Sequence, residues 1–173
     1  MVAGAGELAD WSDVAYGLAP PSVRLVVPNG VTQPMLHNTV TAIAFGAGSK
    51  VLDTFDWHSE ATNTTRITPT VAGWCDVWGT VPFASRNDYI TQAAFLRMNG
   101  ATAVAPAWKP PLSSGLVSST TMGNVPTATL FFNGSSDYVE LCGQHTNTAA
   151  VQVTTVASFQ YSCVFELRFR MKP

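Results

Sequence analysis

Residues 159–170 read FQYSCVFELRFR and alternate without a slip. Phe159, Tyr161, Cys163, Phe165, Leu167 and Phe169 fall on one side, and Gln160, Ser162, Val164, Glu166, Arg168 and Arg170 on the other. Successive side chains of a β-strand point to opposite faces, so a period of two sustained this long predicts a half-buried strand with an aromatic row in a core. That row is too apolar for a solvated edge, which places the strand centrally in its sheet.

Outward from this segment, Asn-Gly pairs stand at Asn29-Gly30, Asn99-Gly100 and Asn133-Gly134, each beside an apolar or alternating run. Asn-Gly favours the positive φ of tight turns and is a strong hairpin signal. With these turns, strands are expected near 22–28, 39–46, 63–69, 72–83, 89–99, 101–105, 116–121, 125–132, 136–146, 150–157 and 159–170. Nothing after residue 20 has helical periodicity. Many short strands at this spacing indicate an antiparallel sandwich or barrel rather than βαβ units.

Residues 1–20 differ. Leu8, Trp11, Val14, Ala15 and Leu18 form a short amphipathic helical stripe before Pro20-Pro21. A helix of about ten residues is marginal alone in water, so its apolar side must dock, either on its own sandwich or on another protein. The expected division is an arm over 1–21 and a head domain over 22–173.

Composition limits the function. The 173 residues suffice for one domain with a full core, and 46% are hydrophobic. Only 12% are charged, against about 25% in an average protein. Nine basic residues face eleven acidic ones with no Lys/Arg run, which argues against a nucleic-acid partner. The apolar stretch 71–83 is interrupted by Gly73, Asp76 and Pro82, so no membrane insertion is expected. The acidic N-terminal stretch is the reverse of a secretion signal, which points to synthesis and folding in a cytoplasm. Cys75, Cys142 and Cys163 lie in apolar strand patterns and read as buried reduced thiols.

The segment AFGAGSKVLDTFDWHSEATNTTRITPTVAGWCDVWGTVPF, followed by YITQAAFLRMNG, DYVELCGQHT and the terminal aromatic strand, resembles the jelly-roll heads of the complement and tumour necrosis factor superfamily. Phe55, Asp56, Thr65, Ile67, Pro69, Gly73, Val77, Asp137, Val139 and Leu141 stand in matching places. Ser136 replaces the usual glycine before Asp137, and Cys75 stands where an aromatic is usual, with Trp74 beside it. The resemblance implies an all-β fold, an antiparallel ten-stranded jelly-roll sandwich, here with a short N-terminal arm, assembled as a homotrimer. With no collagen-like stretch before the head, the form is similar to the minor tail and capsid-decoration proteins of tailed phages that infect actinobacteria.

In GWCDVWGTVPF, Cys75, Val77, Val81 and Phe83 share the core side and leave Trp74 and Trp78 outward. Two outward tryptophans make an apolar patch that a soluble monomer rarely exposes. Trp74, Trp78, Tyr138 and Val164 are the expected trimer interface. Leu8, Trp11, Val14 and Leu18 are the expected virion attachment residues. Trp57 and Trp108, read as loop aromatics, are candidates for contact with a host surface or glycan, with packed or interface positions as the alternative.

Catalytic and metal signatures are weak. His37, His58 and His145 have no ligand spacing, and Asp53, Asp56 and Glu60 lack the geometry of a dedicated calcium loop. Asp88 and Asp137 do not form an evident catalytic carboxylate pair with them. No nucleophile elbow occurs. The expected function is non-enzymatic and needs no cofactor or metal: a trimeric jelly-roll head on a bacteriophage virion, as a minor tail or tip protein contacting the host surface. A capsid decoration protein is the first alternative; a carbohydrate-binding or carbohydrate-active protein of the same fold is the second.

Overall fold

The terminal alternation becomes a long strand in a computed structural model of the protein, which describes residues 20–83, 92–101, 103–109, 121–122, 126–146, 151–154 and 162–171. In chain order the strands are β1 (Ser22–Val26), β2 (Thr32–Met35), β3 (Thr41–Ala42), β4 (Lys50–Asp53), β5 (Arg66–Ile67), β6 (Ala72–Thr80) and β7 (Pro82–Phe83). They continue as β8 (Gln92–Met98), β9 (Ala103–Lys109), β10 (Thr121–Met122), β11 (Thr127–Asn133), β12 (Val139–His145), β13 (Val151–Thr154) and β14 (Val164–Met171). Among the described residues there are fourteen strands against the expected ten, and β3, β5, β7 and β10 are two-residue pieces. The arm over residues 1–19, with its helical stripe, lies outside the described residues.

One sheet has the order β11-β6-β14-β1-β4. A second runs β3-β12-β8-β9, with β5 also paired to β12, and a third runs β10-β7-β13-β2. β14 is central, antiparallel to β6 on one side and to β1 on the other. Of its apolar row, Cys163, Phe165, Leu167 and Phe169 are buried, while Phe159 and Tyr161 lie outside the described residues.

The core joins this row to Val23 and Leu25 of β1, Cys75 and Val77 of β6, Leu96 of β8 and Val139 and Leu141 of β12. Phe45, before β4, meets Phe165 with ring centroids 5.8 Å apart. A two-residue period therefore sends one row of each strand inward, and two facing rows fill the sandwich. Glu166 keeps its expected outward side but is only 3% exposed, held by Arg24 at 3.9 Å and by Arg168 Nε. Two guanidinium groups laid over one carboxylate shield it from water without turning it inward.

Of the three Asn-Gly pairs, Asn99-Gly100 closes a hairpin, between β8 and β9. Its residues have φ of 53° and 68°, and Ala101 N–H donates to Met98 O at 3.0 Å, as a primed turn requires. Asn29-Gly30 and Asn133-Gly134 instead carry the chain between sheets, since β1 and β2, and β11 and β12, do not pair. The Asn133 Oδ1 accepts the N–H groups of Ser135, Ser136 and Asp137, which organises a wider side-chain-capped turn.

Candidate assembly interface

The outward side of the β11-β6-β14-β1 face is assembled by alternation. β6 presents Trp74, Asp76 and Trp78, and its register partners on β11 present Phe131, Thr129 and Thr127 in turn. β14 contributes Val164, Glu166, Arg168 and Arg170, and β1 contributes Arg24 opposite Glu166. Trp74 and Phe131 are 40% and 38% exposed and pack edge to face with centroids 5.5 Å apart. Beside them an open groove of about 380 Å³ is lined by residues 76–78 and 127–129.

Polar groups divide the same face. Asp76 accepts the Thr129 hydroxyl at 2.7 Å and lies 3.7 Å from Arg170. Arg24 and Arg168 flank Glu166. The β6–β11 half thus joins aromatic rings to one carboxylate, and the β14–β1 half carries three arginines against one glutamate.

The opposite sheet presents a different outer surface. Ala93, Phe95 and Cys142 form a small cluster there that is already buried, with Phe95 5% exposed. Next to it Glu140 accepts Arg97 Nε at 3.0 Å, Arg97 Nη2 at 2.7 Å and the Thr65 hydroxyl at 2.8 Å, with Arg66 3.7 Å away. Tyr138 belongs to this side, beneath the Arg66 guanidinium at 3.9 Å. Tyr138 does not share one patch with Trp74 and Trp78: it directly precedes β12, which pairs with β8 and not with β6. Trp74, Trp78 and Val164 do share one sheet. Phe131 was not singled out from the sequence, although the alternating TATLFFN pattern signals its outward position.

The loop aromatics also fall differently from expectation. Trp57 is 2% exposed, and its indole N–H donates to the Thr70 hydroxyl at 2.9 Å; it is a core ring and offers no stacking surface. The cause is local. Asp53 accepts the backbone N–H groups of Trp57 and His58 at 2.9 and 3.0 Å, turning the chain inward, and leaves Phe55 40% exposed in that loop. Trp108 lies on strand β9, paired with Ala93, rather than in a loop. The attachment residues Leu8, Trp11, Val14 and Leu18 lie outside the described residues, as does Asp88.

The acidic loop has a structural task. Asp53 and Asp56 both lie 3.3 Å from Lys50 Nζ, and Glu60 accepts the Lys50 backbone N–H at 2.7 Å. That backbone hydrogen bond is the leading cause that holds the Glu60 carboxyl below its usual range. The His58 ring nitrogens each lie 2.8 Å from a backbone carbonyl oxygen, of Arg66 and of Phe45. Among the described residues no three His, Cys, Asp or Glu side chains gather as a metal site. All three cysteines are buried and unbridged. Burial pushes the thiols of Cys75 and Cys142 up to about 12, and that of Cys163 up as well, so none is a ready nucleophile.

Sheet order, the central terminal strand and the core define an all-β sandwich, whose fold is similar to the jelly rolls of complement C1q and TNF-like proteins. Solved structures with this fold include the globular domain of zebrafish complement 1qA protein, at 12% identity and TM-score 0.56, covering 88% of this chain and 99% of that one. The Eiger TNF of S. frugiperda matches at 9% identity and TM-score 0.58, over 90% of this chain and 96% of its own. Murine APRIL matches at 10% identity and TM-score 0.56, over 87% and 99%. No family profile and no curated protein matches the chain.

Proposed function

We propose that this chain is a non-enzymatic binding and structural protein that works as a homotrimer, with the β11-β6-β14-β1 face turned toward its own copies. The observation that carries this reading is the Trp74–Phe131 pair, two large rings held against each other yet each more than a third exposed. A threefold assembly removes that surface from water in every copy, at roughly 25 cal/mol for each Å² buried. The resemblance of the sequence to stalkless phage heads supports a place on a virion, as a minor tail or tip protein, with capsid decoration as the other placement. Attachment through Leu8, Trp11, Val14 and Leu18 belongs to this proposal. Aromatic contact with a host glycan through Trp57 is set aside, because that ring is buried.

Sedimentation velocity at micromolar protein tests the assembly, with a trimer expected and a monomer near 18.4 kDa refuting it. Trp78→Asp should weaken the trimer, since it removes the apolar area of the indole from the contact between copies. A map of the particle tests the virion placement, which fails if the chain is absent from it.

A further inference from the structure

We propose that the two halves of the assembly face are complementary, and that the groove beside Asp76 and Trp78 receives the Arg24 guanidinium of the next copy. The proposal rests on the trimer reading above and names the contact that sets its register. A cyclic trimer needs a heterologous interface, in which each copy offers two different surfaces that fit one another. This face has two such surfaces side by side. The β6–β11 half offers Asp76, with its side chain 53% exposed, beside the Trp78 indole and the hydroxyls of Thr127 and Thr129. The β14–β1 half offers Arg24, Arg168 and Arg170, with only Glu166 to offset them.

The choice among the arginines follows from their partners. Arg170 already lies 3.7 Å from Asp76 of its own chain, and Arg168 Nε is held by Glu166. Arg24, with its side chain 50% exposed and 3.9 Å from Glu166, stands on β1, two strands from Asp76, whereas Arg168 and Arg170 stand on β14 beside it. A carboxylate edged by an indole suits a guanidinium, which can pair with the one and stack on the other.

Within one chain Arg24 and Asp76 stand on strands two apart, roughly 10 Å at the usual strand spacing. They share no direct partner in the ion pairs of the face. Substitutions that far apart normally add. Glu166 and Arg168 stand between them, so coupling that appears in the monomer–trimer equilibrium but not in the urea stability of the monomer reports contact between copies.

The experiment measures the monomer–trimer equilibrium of the full chain by sedimentation for wild type, Asp76→Arg, Arg24→Asp and the double reversal. Each single reversal is expected to weaken assembly about tenfold or more, and the double reversal to recover most of that loss. If either single variant misfolds by circular dichroism, the milder cycle of Asp76→Asn with Arg24→Gln reads the same coupling. A trimeric wild type whose two substitutions add without coupling overturns this contact and leaves the trimer standing. A monomeric wild type overturns both.

Discussion

Phe165→Ala tests whether the terminal strand is the centre of the fold. Phe165 is fully buried, opposite Leu25 on β1 and Gly79 on β6, with its ring centroid 5.8 Å from that of Phe45. Truncation removes a whole aromatic ring, worth about 2–3 kcal/mol in transfer free energy. A cavity is added to that loss, because hydrogen bonds to β6 and β1 hold the strand from both sides and prevent it from collapsing inward. Together these give a loss of about 3–5 kcal/mol. Phe165→Leu keeps most of the volume and should lose about 1.5 kcal/mol or less. Urea unfolding followed by tryptophan fluorescence reads both, at one fixed protomer concentration because linked assembly shifts the midpoint. An alanine loss below about 1 kcal/mol would refute a central, close-packed position for this row.

Glu140→Ala should destabilise the monomer by about 3 kcal/mol in the same urea assay, at the lower end for a broken buried ion pair because Arg97 keeps some access to water. An unchanged midpoint would show that the cluster is neutral to folding. Gly134→Ala places a non-glycine residue at φ +73° and its Cβ 2.4 Å from Ala72 N. The conformation alone costs about 1–2 kcal/mol, so a thermal midpoint equal to wild type contradicts the turn geometry. The Lys50 backbone N–H holds the Glu60 carboxyl below its ordinary value, so its contribution is present above the ordinary carboxylate range and disappears as pH falls through that lowered midpoint. Glu60→Gln should therefore flatten part of the acid limb of a stability–pH profile; an unaltered limb counts against the Lys50 contact.

The strands were legible wherever one face is buried. Alternation in FELRFR and GWCDVWG assigns Phe165, Leu167, Cys75 and Val77 to the core without knowledge of their neighbours, because the period belongs to a single strand. Pairing was less legible. Asn99-Gly100 and Asn133-Gly134 look alike as dipeptides, yet one makes a hairpin and the other crosses between sheets. The difference lies in Asn133 itself, whose side chain accepts three successive N–H groups and opens the turn. Trp57 misled for a related reason: DTFDWH reads as a polar loop, but Asp53 caps its backbone and draws the indole inside.

The proposed assembly face was half legible because outwardness is a property of one strand, whereas a patch is a property of several. Trp74 and Trp78 could be placed outward from GWCDVWG alone, but their neighbours depend on β11 and β14 lying on either side of β6. That pairing brings Phe131 to Trp74 and excludes Tyr138. It also gathers basic charge: three of the nine lysines and arginines in the chain, Arg24, Arg168 and Arg170, stand on two adjacent strands of this one face. Charges placed only for solubility gain from dispersion over the surface. Their concentration beside exposed aromatic rings suits a partner surface that is both apolar and acidic, and the β6–β11 half of the same chain has that character.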